Sequence, residues 1–156
     1  MAFPLTVSQT LSTTASPAAL WRAFERADLW PTVLPALLTA RLDPPGPLAP
    51  GQVLVTRATP ESKASDITAR ILAADAPHRL TLAIDDPEYR ATTDYRIVQE
   101  ANTTDLVVTS RLEAVGFAQT VRFLLWQQRL TPMLRQSARE RAQGLIDLAE
   151  RIGEPA

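Results

Sequence analysis

The 156-residue chain has no cysteine, one histidine (His78), one lysine (Lys63) and only five glycines. Without cysteine there are no disulfides, no zinc–cysteine sites and no thiol nucleophile. With one histidine and no cysteine, cysteine–histidine triads and zinc sites built on these residues are excluded. His78 has the chemistry of a general base. It follows Pro77 at the head of a strand pattern, however, and is expected on a surface turn. No apolar run approaches the roughly 20 residues that span a bilayer, so no integral membrane association is expected. The start, Met1-Ala2-Phe3-Pro4, lacks the basic flank and apolar stretch of a secretory signal, which makes a cytoplasmic protein the expectation. An excess of one charge is missing too: 16 basic and 17 acidic residues leave a formal charge of -1. That balance gives no global attraction to nucleic acid or to an anionic membrane. The arginine bias of the basic residues fits a GC-rich bacterial genome.

What is present is an ordinary core-forming composition, 46% hydrophobic and 21% charged, in a length suited to one domain, 1–156. Leu5, Val7, Gln9 and Leu11 alternate with polar residues, as in a strand with one apolar face. Ser16-Pro17 supplies a cap and a first-turn proline for a short helix carrying Leu20, Trp21 and Phe24. Asp28-Leu29-Trp30-Pro31 is expected to break it, with a second helical turn over Thr32 to Leu37.

Six strands follow: Leu38–Asp43, Gln52–Ala58, Asp66–Ala74, a short one with Leu80, Leu82 and Ile84, Tyr89–Val98, and one carrying Leu106, Val108, Ser110, Leu112 and Ala114. Short turns between them imply an antiparallel meander. Arg70, Arg90, Asp94, Arg96, Arg111 and Glu113 fall on its outer face. Gly116 then opens an amphipathic pattern from Phe117 to Ile152, on the order of 50 Å if helical. Pro132 interrupts it. An interior proline costs about 3 kcal/mol, so a kink or restart near Thr131 is expected. So long a helix must lie across something broad, and the strands are the candidate.

Few residues suggest chemistry. Asp85-Asp86 beside Pro87 reads as a turn, and Asp94 with Glu113 as solvated surface acids. Arg57 shares a strand side with Val53 and Val55 and would face inward if that side is the interior. Leu54 and Thr56 make the other side nearly as good a candidate. Phe123-Leu124-Leu125-Trp126 is apolar on more of a helix than one sheet can cover. Arg135, Arg139, Glu140 and Arg141 read as a solvated helix face.

The order of elements carries a resemblance, together with Ser16-Pro17-Ala18-Ala19-Leu20-Trp21, Leu29-Trp30-Pro31 with Pro35, Gly51, Pro77-His78-Arg79-Leu80, Thr104-Asp105-Leu106 and the C-terminal helix. Over nearly its whole length the chain resembles the START-like, birch-pollen-allergen superfamily (SRPBCC), most of all its polyketide cyclase/dehydrase-like branch. The resemblance implies an α+β helix-grip fold: a curved seven-stranded antiparallel sheet wrapped around a long C-terminal helix, with two short helices after strand 1. It also implies a cavity for a small hydrophobic molecule.

In that frame Leu82, Tyr95, Val108, Leu112, Phe117, Val121 and Leu125 are expected to line the cavity, and Thr93, Ser110 and Arg57 to supply polarity. Trp30, between elements, is the candidate lid or mouth residue. The functional expectation is binding or transport of a lipid-like, polyketide-like or aromatic ligand, without metal or cofactor, and compatible with a homodimer. On this reading the protein is not a conventional enzyme; the alternatives are a cofactor-free polyketide cyclase/dehydratase-type enzyme and a protein-interaction module of the same fold.

Overall fold

Alternation in the first segment becomes β1 (Leu5–Thr13), which buries Leu5, Val7 and Leu11, half-buries Gln9 and exposes Thr6, Ser8, Thr10 and Ser12. The computed structural model describes residues 4–35, 37–58, 67–85 and 89–153. Helix α1 (Pro17–Glu25) begins as its sequence predicts. The Ser16 hydroxyl accepts the Ala19 N–H at 3.1 Å, and Pro17 occupies the first turn. Leu20, Trp21 and Phe24 are buried beneath it.

The next element departs from expectation. Ala27–Thr32 forms a 3-10 helix in place of a break, and the stretch from Thr32 to Leu37 carries no second helix in its described part but a turn in which the Leu37 N–H donates to the Leu34 carbonyl at 3.0 Å. Proline's restricted φ suits so tight a helix. The Trp30 indole N–H donates to the Ala23 carbonyl at 2.9 Å and ties the element back to α1.

β2 (Leu37–Asp43), β3 (Val53–Ala58), β4 (Ile67–Asp75), β5 (Arg79–Asp85), β6 (Tyr89–Glu100) and β7 (Thr103–Ala114) follow as an antiparallel meander. β1 pairs with β7, so the seven-stranded sheet has the order β1-β7-β6-β5-β4-β3-β2. Register shifts at Leu37/Thr39 and Ile71/Ala73 add local bends to the curved sheet. The outer face is charged as expected, with Arg111–Glu113 at 2.8 Å and Asp94 between Arg79 at 2.8 Å and Arg96 at 3.0 Å. His78 is exposed in the turn between β4 and β5.

Gly116, at φ +87°, turns the chain into α2 (Phe117–Ile152), whose 36 residues run without interruption through Pro132. The expected restart at Thr131 does not occur. Pro132 is exposed, so the carbonyl one turn earlier, which loses its N–H partner, can be hydrated. The C-terminal half of α2 wedges against α1, β1 and β7, burying Ala138, Ala142, Leu145, Leu148 and Ala149 with Leu20, Phe24 and Leu106.

Gly144 permits a close approach at this junction. A Cβ there would lie 2.6 Å from Leu34 Cδ2 and 3.0 Å from the Val33 carbonyl. Farther along, the Thr13 hydroxyl donates to Glu150 Oε1 at 2.9 Å and pins the end of β1 to the helix.

Candidate ligand cavity

α2 packs along one flank of the sheet, on β1 and β7, and has no comparable contact with β3, β4 or β5. The concave face of those strands is therefore left uncovered, and a cavity of about 1490 Å³ lies between them and the helix. The sheet contributes inward positions that its alternation selects: Leu54, Ala69, Leu82, Thr93, Tyr95 and Ser110. The helix contributes a central row at three- and four-residue steps, Phe123, Trp126, Leu130, Leu134, Ser137, Arg141 and Gly144, flanked by polar residues that include Arg122, Glu140 and Asp147. Trp30 and Leu34 close one side.

Of the predicted site residues, Trp30, Leu82, Thr93, Tyr95, Ser110 and Leu112 are brought together on this wall. Trp30 is not the lid envisaged for it: it is buried and held by its bond to Ala23. Four predictions differ. Arg57 is exposed and absent from the wall, because Leu54 and Thr56 take the inward side of β3 and leave Val53, Val55 and Arg57 on the other. Val108 is fully buried in the core beside the cavity. Val121 and Leu125 point away from the sheet, at 42% and 78% exposed. The Phe117 side chain lies outside the described residues, as does Asp86 of the Asp85-Asp86 pair.

Of the helix row, Phe123, Leu130, Leu134, Ser137, Arg141 and Gly144 are wall residues that the sequence did not single out. The row's signal was present as the spacing of Phe123, Trp126, Leu130 and Leu134. The apolar neighbours Val121, Leu124 and Leu125 masked it.

The wall is apolar with a few polar groups placed on it. Thr93 and Ser110 face each other in register on β6 and β7, and Tyr95 is the next inward residue after Thr93. Arg141 Nη2 donates to Ser110 Oγ at 3.2 Å. Tyr95 is 1% exposed and Thr93 8%. No side-chain oxygen or nitrogen sealed from solvent lacks a partner among the described residues. The Thr93 and Tyr95 hydroxyls make no hydrogen bond to protein, so both open onto the cavity.

Carboxylates stay at the edge. Glu140 accepts from Gln136 at 3.0 Å and Asp147 from Gln143 at 2.9 Å, both on exposed positions of α2. On the opposite face of the sheet, burial disfavours an ionised Asp94. Hydrogen bonds from Arg79, Thr81 and Arg96 outweigh that and hold its carboxyl below the usual aspartate value. This is ion-pair chemistry on the outer surface, away from the cavity. No helix is long and apolar enough to cross a membrane among the described residues.

Residues 4–148 match the family model described as polyketide cyclase / dehydrase and lipid transport. No curated protein matches the sequence. Among solved structures, norcoclaurine synthase from Thalictrum flavum, in complex with dopamine and hydroxybenzaldehyde, is similar at TM-score 0.73 and 11% identity, covering 99% of this chain and 90% of that one. Ara h 8.0201 is similar at TM-score 0.67 and 16% identity, over 96% and 97% of the two chains. TTHA0849 from Thermus thermophilus is similar at TM-score 0.74 and 11% identity, over 96% and 100%. At such identities the likeness establishes the fold alone.

Proposed function

The chain belongs to the polyketide cyclase/dehydrase and lipid transport family of the START-like, birch-pollen-allergen superfamily, and from that premise we propose that it binds or carries a small hydrophobic molecule beneath α2. The observation that supports this is the apolar-walled cavity of about 1490 Å³. It has room for a ligand of drug size or larger. Affinity would come mostly from buried apolar area, about 25 cal/mol per Å² before the costs of association.

The ligand is lipid-like, polyketide-like or aromatic. It lies against Leu82, Leu112 and Trp30 on one side and Phe123, Leu130 and Leu134 on the other. Thr93, Ser110 and Tyr95 orient it. The protein acts in the cytoplasm without metal or cofactor. Norcoclaurine synthase in the matched structure holds small aromatic compounds, which supports the aromatic class.

Native mass spectrometry of protein purified from its own host tests this directly: an apolar adduct is expected. Titration with the neutral fluorophore N-phenyl-1-naphthylamine provides a second readout. Protein that carries no adduct and does not enhance the fluorophore would overturn the proposal. A second reading, a protein-interaction module, is favoured by one observation, the exposed apolar edge of Val121, Leu124 and Leu125. A co-purifying protein in place of an adduct would support it.

A further inference from the structure

Two arginines on the cavity wall have no carboxylate partner among the described residues, Arg122, which is exposed, and Arg141, which the carrier reading does not explain. Arg141 lies on the helix row that faces the sheet and is half-buried. Its hydrogen bonds go only to neutral oxygens, Ser110 Oγ at 3.2 Å and the Ser137 carbonyl at 3.4 Å. No carboxylate among the described residues pairs with it, although Arg26, Arg41, Arg70, Arg79, Arg96 and Arg111 all have one. Glu140 and Asp147 are the acids nearest in sequence on the wall, and glutamines one helical turn away hydrogen-bond to both.

A guanidinium has five N–H donors in a planar fork that matches a carboxylate. Here most of those donors have no protein acceptor. The sheet opposite completes the site. Thr93 and Ser110 are directly paired, with Cβ atoms about 5 Å apart for such a pair. Thr93 and Tyr95 are nine-tenths or more buried as residues, and their hydroxyls, on the same inward face, have no protein partner and open onto the cavity. A cation and three hydroxyls beside the apolar part of the wall form a receptor for an anionic oxygen group, with Glu140 and Asp147 at the exposed edge.

We infer that the ligand is an amphiphile with an anionic head, in the simplest case a carboxylate, which Arg141 grips with Thr93, Ser110 and Tyr95 while its apolar body lies along Phe123, Leu130 and Leu134. This rests on the carrier reading and names the substrate class of the same site.

The test displaces N-phenyl-1-naphthylamine with dodecanoate and with dodecanol, at about pH 8, where the acid is ionised. The two competitors share a chain and differ in the head. Dodecanoate should bind about tenfold tighter than dodecanol, as expected of a charge-assisted bidentate contact. In Arg141→Gln that ratio should fall to near one, and Arg141→Lys should keep part of it. Thermal melts establish that each variant is folded, and the wild-type ratio needs no variant. Equal displacement by acid and alcohol in the wild type, or a preference that survives Arg141→Gln, would overturn the anionic-head assignment while leaving the carrier reading intact. Failure of the neutral fluorophore and of both competitors to bind would overturn the carrier reading, and the head assignment with it.

Discussion

The two halves of α2 share one helical period and have opposite fates. From Phe117 to Leu130 the helix is rich in large apolar residues, yet Val121, Leu124, Leu125 and Trp126 are exposed. Phe123 is the one large side chain buried there among the described residues, in a small cluster with Leu5 and Ala114. From Pro132 onward the apolar residues are smaller and more widely spaced, yet Ala138, Ala142, Leu145, Ile146, Leu148 and Ala149 are almost wholly buried. The difference lies in what stands opposite. One side of the second half is wedged against α1 and the sheet while Leu134, Ser137 and Arg141 on another side line the cavity; the first half has only the cavity and the small cluster at Phe123 beneath it. Burial is decided by the opposing surface, and apolar content states only what could be buried.

Stability measurements break this comparison most directly. Leu145→Ala should cost about 2–5 kcal/mol in urea unfolding, as for other fully buried leucines. Leu125→Ala, at 78% exposed, should stay within about 0.5 kcal/mol. Similar losses at the two positions would mean that the halves do not differ as described.

Gly144→Ala comes next, at about 1–3 kcal/mol of overpacking, because the new methyl meets the Val33 backbone as well as Leu34. A melting temperature equal to wild type would show that the 3-10 connection does not press on the clamp.

The roof is tested by affinity. Phe123→Ala should weaken N-phenyl-1-naphthylamine binding roughly tenfold, about 1.4 kcal/mol, while Val121→Ala, on the far side, should not. Equal effects would remove the assignment of the inward row.

The smallest effect is expected at Asp94, away from both halves. Its folded pKa is lowered, so its contribution is present above the unfolded value near 3.9 and is lost as pH falls through the folded value. Its arginine partners are half-exposed, and screening keeps the contribution below about 1 kcal/mol. Asp94→Asn should therefore be slightly destabilised at neutral pH, and denaturation in acid should bring the two proteins together. A gap that persists below about pH 2 would point to lost packing rather than lost charge.

Much of the fold was legible because strand alternation is a local signal. The buried residues of β1, β6 and β7 are those whose side chains the two-residue period sends inward, and Thr93, Tyr95, Ser110 and Leu112 on the cavity wall follow from it. Legibility failed where both faces looked alike. Val53, Leu54, Val55 and Thr56 offer two comparable sides, so the orientation of Arg57 depended on which side the neighbouring strands buried. Phe123 to Trp126 is apolar around most of the helix, and its period does not choose a face. Arg141 stands among Arg135, Arg139 and Glu140, in a stretch that reads as solvated, and only the path of the helix across β7 turns it inward.

The sequence by itself determined the element order, the antiparallel meander, the capped first helix and the long terminal one. Each depends on contacts between residues close along the chain, or on a period that a single strand displays. Only the tertiary structure decided that Pro132 sits inside one continuous helix, that Trp30 is a buried wall, and which side of α2 meets the cavity. Those outcomes depend on where α2 lies across the sheet, and that position is set by packing between residues far apart along the chain.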